Sequence, residues 1–93
     1  MITLMIIHEV DNYTAWKTVF DNAAAIRKEA GETEYQLYAY HNQPNKVIHL
    51  SVWVSMAAAE AFFHSPRLVK IRQEAGVHPP EFIYLHPLEA AVL

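Results

Sequence analysis

The sequence predicts an α+β fold in the order β-α-β-β-α-β, a four-stranded antiparallel sheet with both helices on one face. Three observations lead there. Residues 47–68, VIHLSVWVSMAAAEAFFHSPRL, pass from a β-branched and aromatic strand into an alanine-rich helix without a linker. Two stripes of apolar residues at helical spacing each end at one of the chain's only two glycines, Gly31 and Gly76. Between them, two strand-like runs flank the turn-forming triplet Gln43-Pro44-Asn45.

The first strand is expected over residues 2–10. Ile2, Leu4 and Ile6 form one alternating set and Met5 and Ile7 the other, so it is apolar on both faces. Asp11 or Asn12 then caps a helix in which Trp16, Val19, Ala23, Ile26 and Ala30 recur on one side with Phe20 beside them. Lys17 and Asp21 stand one turn apart on its polar side.

Residues 34–41 and 46–54 are the next two strands. Centring their hairpin on Pro44-Asn45 opposes Tyr40 to His49, Tyr38 to Ser51 and Gln36 to Trp53. The reverse face then carries Tyr35, Leu37, Ala39 and His41 against Val54, Val52, Leu50 and Ile48. A slip of one residue would exchange the faces. Ser55 caps the second helical region, and Pro66 breaks it, with Ser65 capping the helical segment beyond the break. Leu68, Ile71 and Ala75 continue its apolar stripe. After the rigid His78-Pro79-Pro80 connector, residues 81–86 form the last strand, and the apolar tail 88–93 is expected to pack on a partner.

Right-handed crossovers turn this order into a ferredoxin-like sheet. Aliphatic side chains suit helix-on-sheet packing, so Leu37, Leu50, Val52 and Val54 are expected under Trp16, Phe20 and Phe62. Tyr38, Tyr40, His49, Ser51 and Trp53 would face the other way. Helices leave that face bare although its strands are apolar or aromatic there. A homodimer packing sheet to sheet is the expected remedy, with Tyr38, Tyr40, His49 and Trp53 at its interface.

Composition narrows the function classes. The 93 residues are 53% hydrophobic and 18% charged, a single packed domain rather than a disordered chain. A net charge of −3 with seven scattered Lys and Arg residues argues against nucleic acid. The absence of cysteine excludes disulfides, thiolate nucleophiles and sulfur-bound metals. No stretch approaches the roughly 20 apolar residues of a membrane span, and no basic leader opens the chain, so a cytoplasmic location is expected.

Six histidines raise the question of a metal, but no H-x-x-x-H or H-x-x-E-H pair exists, and His41 and His49 fall on opposite faces of the expected hairpin. His64 and His78 fall at helix and loop ends, where they are solvated. No metal is expected. His8 continues the Ile2-Leu4-Ile6 set toward the helices, and His41 lies at the rim of the same face. A neutral imidazole at either place can serve as general base; the plainer reading is a hydrogen-bonded or half-exposed histidine at a strand end. Trp16, Phe20, Phe62 and Phe63 can line a pocket for a flat ligand or simply fill the core.

The run Val10-x-Asn12-Tyr13-x-x-Trp16-x-x-Val19-Phe20, the Ala30-Gly31 helix end, the Pro44-Asn45 hairpin, Trp53, Phe62, Ser65-Pro66, Ala75-Gly76-Val77 and Pro79-Pro80 together resemble the dimeric α+β barrel superfamily, close to its antibiotic-biosynthesis monooxygenase-like group. The resemblance spans nearly the whole chain and implies a homodimer with a cavity between sheet and helices in each subunit. It implies a function among cofactor-free oxygenases of aromatic compounds, haem-degrading enzymes, isomerases and proteins without an assigned role. The haem-degrading branch uses an Asn, a Trp and a His where this chain has Ile6, Phe62 and Arg72, so that activity is not carried over.

The expectation is therefore a cofactor-independent, monooxygenase-like protein that holds a small hydrophobic aromatic molecule between Trp16, Phe20, Phe62 and Phe63. His8 or His41 would remove a substrate proton. The alternatives are a non-catalytic binding or interaction barrel, and an isomerase or cyclase of the same superfamily.

Overall fold

The structure is a computed structural model and describes every residue except Val77, so that member of the Ala75-Gly76-Val77 run lies outside the described residues. The elements are β1 (Ile2–Glu9), α1 (Tyr13–Asn22), α2 (Ala24–Ala30), β2 (Glu32–Tyr40), β3 (Gln43–Trp53), α3 (Met56–Phe63), α4 (Pro66–Glu74) and β4 (Glu81–Leu85). The four strands form one sheet in the order β2-β3-β1-β4, antiparallel throughout. This is the expected ferredoxin-like α+β arrangement.

Local chemistry sets the helix boundaries much as the sequence indicates. Asn12, Ser55 and Ser65 each accept a hydrogen bond from a backbone N–H of the helix they open, and Pro66 occupies the start of α4. Gly31 closes α2 at φ +128°, a conformation open to glycine and strained for other residues. The first helical region differs from the expectation of one continuous helix, because it breaks at Ala23. There the Ala23 N–H is shared between the Val19 and Phe20 carbonyls, and the Phe20 carbonyl also accepts Nη1 of Arg27.

The β2–β3 pairing corrects the expected register. The turn falls at His41-Asn42, and Gln43 through Asn45 belong to the start of β3. Tyr40 faces Gln43 but Ala39 already faces Val47, so Pro44, Asn45 and Lys46 bulge out of the pairing. Contacts with the β1–α1 connection account for the bulge: the Asn45 carbonyl accepts the Val10 N–H at 2.9 Å and its side chain accepts the Tyr13 N–H at 3.2 Å. Pro44, with no N–H to give, fits this unpaired stretch.

The new register reverses the two faces of β3. Leu37 now opposes His49, and Tyr35 opposes Ser51. Val47, His49, Ser51 and Trp53 join Ile2, Leu4, Ile6 and His8 on the helix-covered side, each at most 8% exposed. His49 and Trp53 are therefore core residues, not the interface residues the spacing suggested. Leu50 and Val52 lie on the bare face, while Leu37 keeps its expected place toward the helices. Tyr38 and Tyr40 remain exposed at 54% and 38%.

A second irregularity, at Thr33, re-aims a charge. Glu34 pairs with Val52 on the bare face, and strict alternation would put Glu32 there too. The shift between Glu32 and Glu34 instead sets Glu32 opposite Trp53, pointing into the core at 7% exposure.

Candidate functional site

Between the helices and the inner face of β1 and β3 lies a cavity of about 60 Å³. His8 and His49 of the sheet, Trp16 and Phe20 of α1, and Phe62 and Phe63 of α3 all line it. Arg72 of α4 adds a cation to this wall. Thus the four aromatic residues singled out as ligand-binding and one of the two candidate bases border one space. Trp16 and Phe20 stack with ring centroids 4.9 Å apart, and Phe62 and Phe63 meet edge to face at 5.2 Å.

His41 does not join them. It lies exposed in the β2–β3 turn, because the turn is three residues earlier than Pro44-Asn45 suggests. His49 takes the second histidine position on the cavity wall. Its ring centroid is 6.4 Å from that of His8, with the planes inclined by 22°.

Behind His49 is a buried polar network. The Glu32 carboxylate receives Nε of Arg27 at 2.8 Å on one oxygen. The other oxygen is shared by Nε2 of His49, at 2.9 Å, and the Ser51 hydroxyl. Ser51 Oγ in turn accepts the Trp53 indole N–H at 2.6 Å. The Arg27 guanidinium lies 3.7 Å above the Phe20 ring centre, so an aromatic wall of the cavity also covers the ion pair. Periodicity does not single out Arg27, Glu32 or Ser51 as site residues. Arg27 is the residue next to Ile26 in the apolar helical stripe; it follows Phe20 by seven residues and Trp16 by eleven, so helical spacing already turns it inward, and its charge hides it from a reading of apolar residues alone.

Burial, and then the fields of His49 and Arg72, lower the His8 imidazole to about 3. It is a neutral ring, and its Nδ1 has no hydrogen-bond partner among the described residues. Burial also lowers His49, against the opposing pull of Glu32. Burial by itself would raise the Glu32 carboxyl, but the hydrogen bonds from His49, Ser51 and Arg27 outweigh it and hold it below its ordinary range. The network at rest is thus a carboxylate paired with Arg27 beside a neutral His49. With its Nε2–H given to Glu32, His49 has its lone pair on Nδ1.

This fold and site define a small ferredoxin-like α+β domain with an aromatic, histidine-bearing cavity. The chain belongs to the antibiotic biosynthesis monooxygenase family, whose model matches residues 5–74. Among solved structures it is similar to SnoaB, a cofactor-independent oxygenase from Streptomyces nogalater, with TM-score 0.77 and 15% identity, covering 96% of this chain and 94% of that one. It is also similar to the ActVA-Orf6 monooxygenase of Streptomyces coelicolor in complex with nanaomycin D, with TM-score 0.66 and 16% identity over 99% and 91% of the chains. A third is Rv0793 from Mycobacterium tuberculosis, with TM-score 0.67 and 20% identity over 99% and 100%. No curated protein matches. At these identities the likeness establishes the fold, and the family model the membership. Among the described residues, no helix is long and apolar enough to cross a membrane.

Proposed function

We propose that the protein binds a small hydrophobic aromatic molecule in the helix–sheet cavity and oxidises it with dioxygen, using neither metal nor organic cofactor. The observation that carries this reading is an apolar aromatic cavity with two neutral imidazoles, His8 and His49, side by side on its wall. Family membership and the oxygenase relatives support it. A cavity histidine removes an acidic C–H or O–H proton, and the electron-rich ring carbon left behind bonds to dioxygen. Protonation gives a hydroperoxide, and loss of water leaves a carbonyl. The sum is one dioxygen consumed, one oxygen atom kept and one water released. The protein supplies orientation and a dry enclosure.

Oxygen uptake with substrates ranging from a monocyclic phenol with a free para position to an anthrone tests the proposal. Uptake coupled to quinone formation is expected from the native chain. Unchanged turnover in a His8→Ala/His49→Ala double variant would overturn it. The paired imidazoles also suit an isomerase that removes a proton and returns it. In that case solvent deuterium enters recovered ligand without oxygen uptake.

The same proposal includes a homodimer. Met5, Ile7, Ile48, Leu50 and Val52 are only half-buried on the bare sheet face, beside exposed Tyr38 and Tyr40. Leu88, Val92 and Leu93 of the tail are 94% or more exposed. A second copy placed on the bare face would cover it.

A further inference from the structure

We infer that His49 is the base of this site, fixed in one tautomer by Glu32, and that the site takes a monocyclic phenol or enolisable ring whose ionised oxygen rests on Arg72. The inference depends on the cavity being the ligand site, as proposed above, and adds the residue roles and the ligand class.

Glu32 is held on both oxygens, by Arg27 on one and by His49 and Ser51 on the other. A carboxylate so anchored cannot turn away, and it accepts hydrogen bonds only. His49 must therefore present its Nε2–H to Glu32, leaving the Nδ1 lone pair as its acceptor. When a ligand O–H bond breaks and an N–H bond forms at Nδ1, the imidazolium produced already lies 2.9 Å from a carboxylate. His8 has no such support: no carboxylate lies within ion-pairing distance of it among the described residues. It completes the wall as a neutral ring, and Glu32 is a positioning residue.

The oxyanion left on the ligand needs its own partner. Arg72, half-buried on the cavity wall, donates Nη1 to the Phe63 carbonyl at 2.9 Å and makes no ion pair among the described residues. An uncompensated cation beside an apolar cavity suits an anion. Size restricts the class further. An apolar cavity that accepts benzene measures about 150 Å³, and the present volume is about 60 Å³. Enlarging the cavity for one ring asks least of Phe62, which is half-buried, whereas a fused polycycle would also need space from Trp16 or Phe63, both buried.

The test uses 4-nitrophenol, whose colour reports its ionisation, with 4-nitroanisole as a control that has no proton to lose. At a pH one unit below the probe's own pKa, the native chain should bind 4-nitrophenol and shift it to the phenolate at least tenfold relative to free probe. Arg72→Gln and His49→Gln should abolish that shift while keeping 4-nitroanisole binding. Glu32→Gln should do the same, and Glu32→Asp should restore part of it. If Glu32→Gln loses 4-nitroanisole as well, its site has collapsed and the Arg72 and His49 variants decide. No binding of 4-nitrophenol, binding without ionisation, or an ionisation shift that survives Arg72→Gln or His49→Gln would overturn the inference. Oxygen uptake is read separately. Anthrone oxidation without nitrophenol ionisation defeats this inference and spares the oxygenase reading; ionisation without any oxygen uptake does the reverse.

Discussion

Glu32 and His49 share a 2.9 Å hydrogen bond across the β2–β3 pair, and neither belongs to the core by residue type. Both are at most 7% exposed. Most of what distinguishes this cavity from a plain aromatic core depends on that bond.

Removing one partner of the buried pair should be costly. Arg27→Met strands the Glu32 carboxylate with only His49 and Ser51, and about 3 kcal/mol of stability should be lost. Replacing Arg27 and Glu32 together by Met and Gln should lose less than the sum of the single changes. Urea unfolding midpoints of the four members of this cycle provide the check; strict additivity would show that the pair is not coupled.

Acid should destabilise the fold in two stages. His8 is depressed to about 3 when folded and titrates near 6.5 when unfolded. Between those values the unfolded chain binds the extra proton, so stability falls as pH drops below 6.5, by up to about 1.4 kcal/mol per pH unit. His49, also lowered, acts in the same direction. Glu32 is depressed as well, so its contribution is present above its unfolded value and is lost as pH falls through the folded one. His8→Phe should flatten the slope between pH 6 and about 4, measured by chemical unfolding at each pH; an unchanged slope would contradict a buried neutral His8.

Gly31 tests the backbone at the helix end that precedes Glu32. A Cβ there would come within 2.8 Å of Val54 Cγ2, in addition to the strain of φ +128°. Gly31→Ala should cost about 1–3 kcal/mol. The thermal midpoint should fall accordingly, and an equal or higher midpoint would show that β2 enters the sheet differently.

The bare sheet face should respond to charge. Leu50→Glu puts a carboxylate in the middle of the proposed dimer contact while leaving the helix-facing core untouched. Light scattering after size exclusion should show a dimer for the native chain and a monomer for the variant. A native monomer would remove the need for a second copy.

Much of this molecule is legible along the chain. Asn12, Ser55, Ser65-Pro66 and Gly31 mark helix ends through bonds to their own neighbours, so local sequence specifies them. The order of elements and the inward direction of His8 follow from periodicity alone. Trp16, Phe20, Phe62 and Phe63 can be grouped because helical spacing fixes their side of the helix.

The β2–β3 register is decided elsewhere. Strand side chains alternate with period two, so an error of an odd number of residues sends every side chain to the wrong face. That choice rests on bonds from Asn45 to Val10 and Tyr13, more than 30 residues away, and on the bulge at Thr33. These long-range contacts turn His49, Ser51 and Trp53 inward and set Glu32 between them and Arg27. The sequence alone determined the order of strands and helical regions and the inward place of His8. Only tertiary packing decided which of the other polar residues would meet inside, because burial of a charge depends on the partner that the rest of the fold delivers.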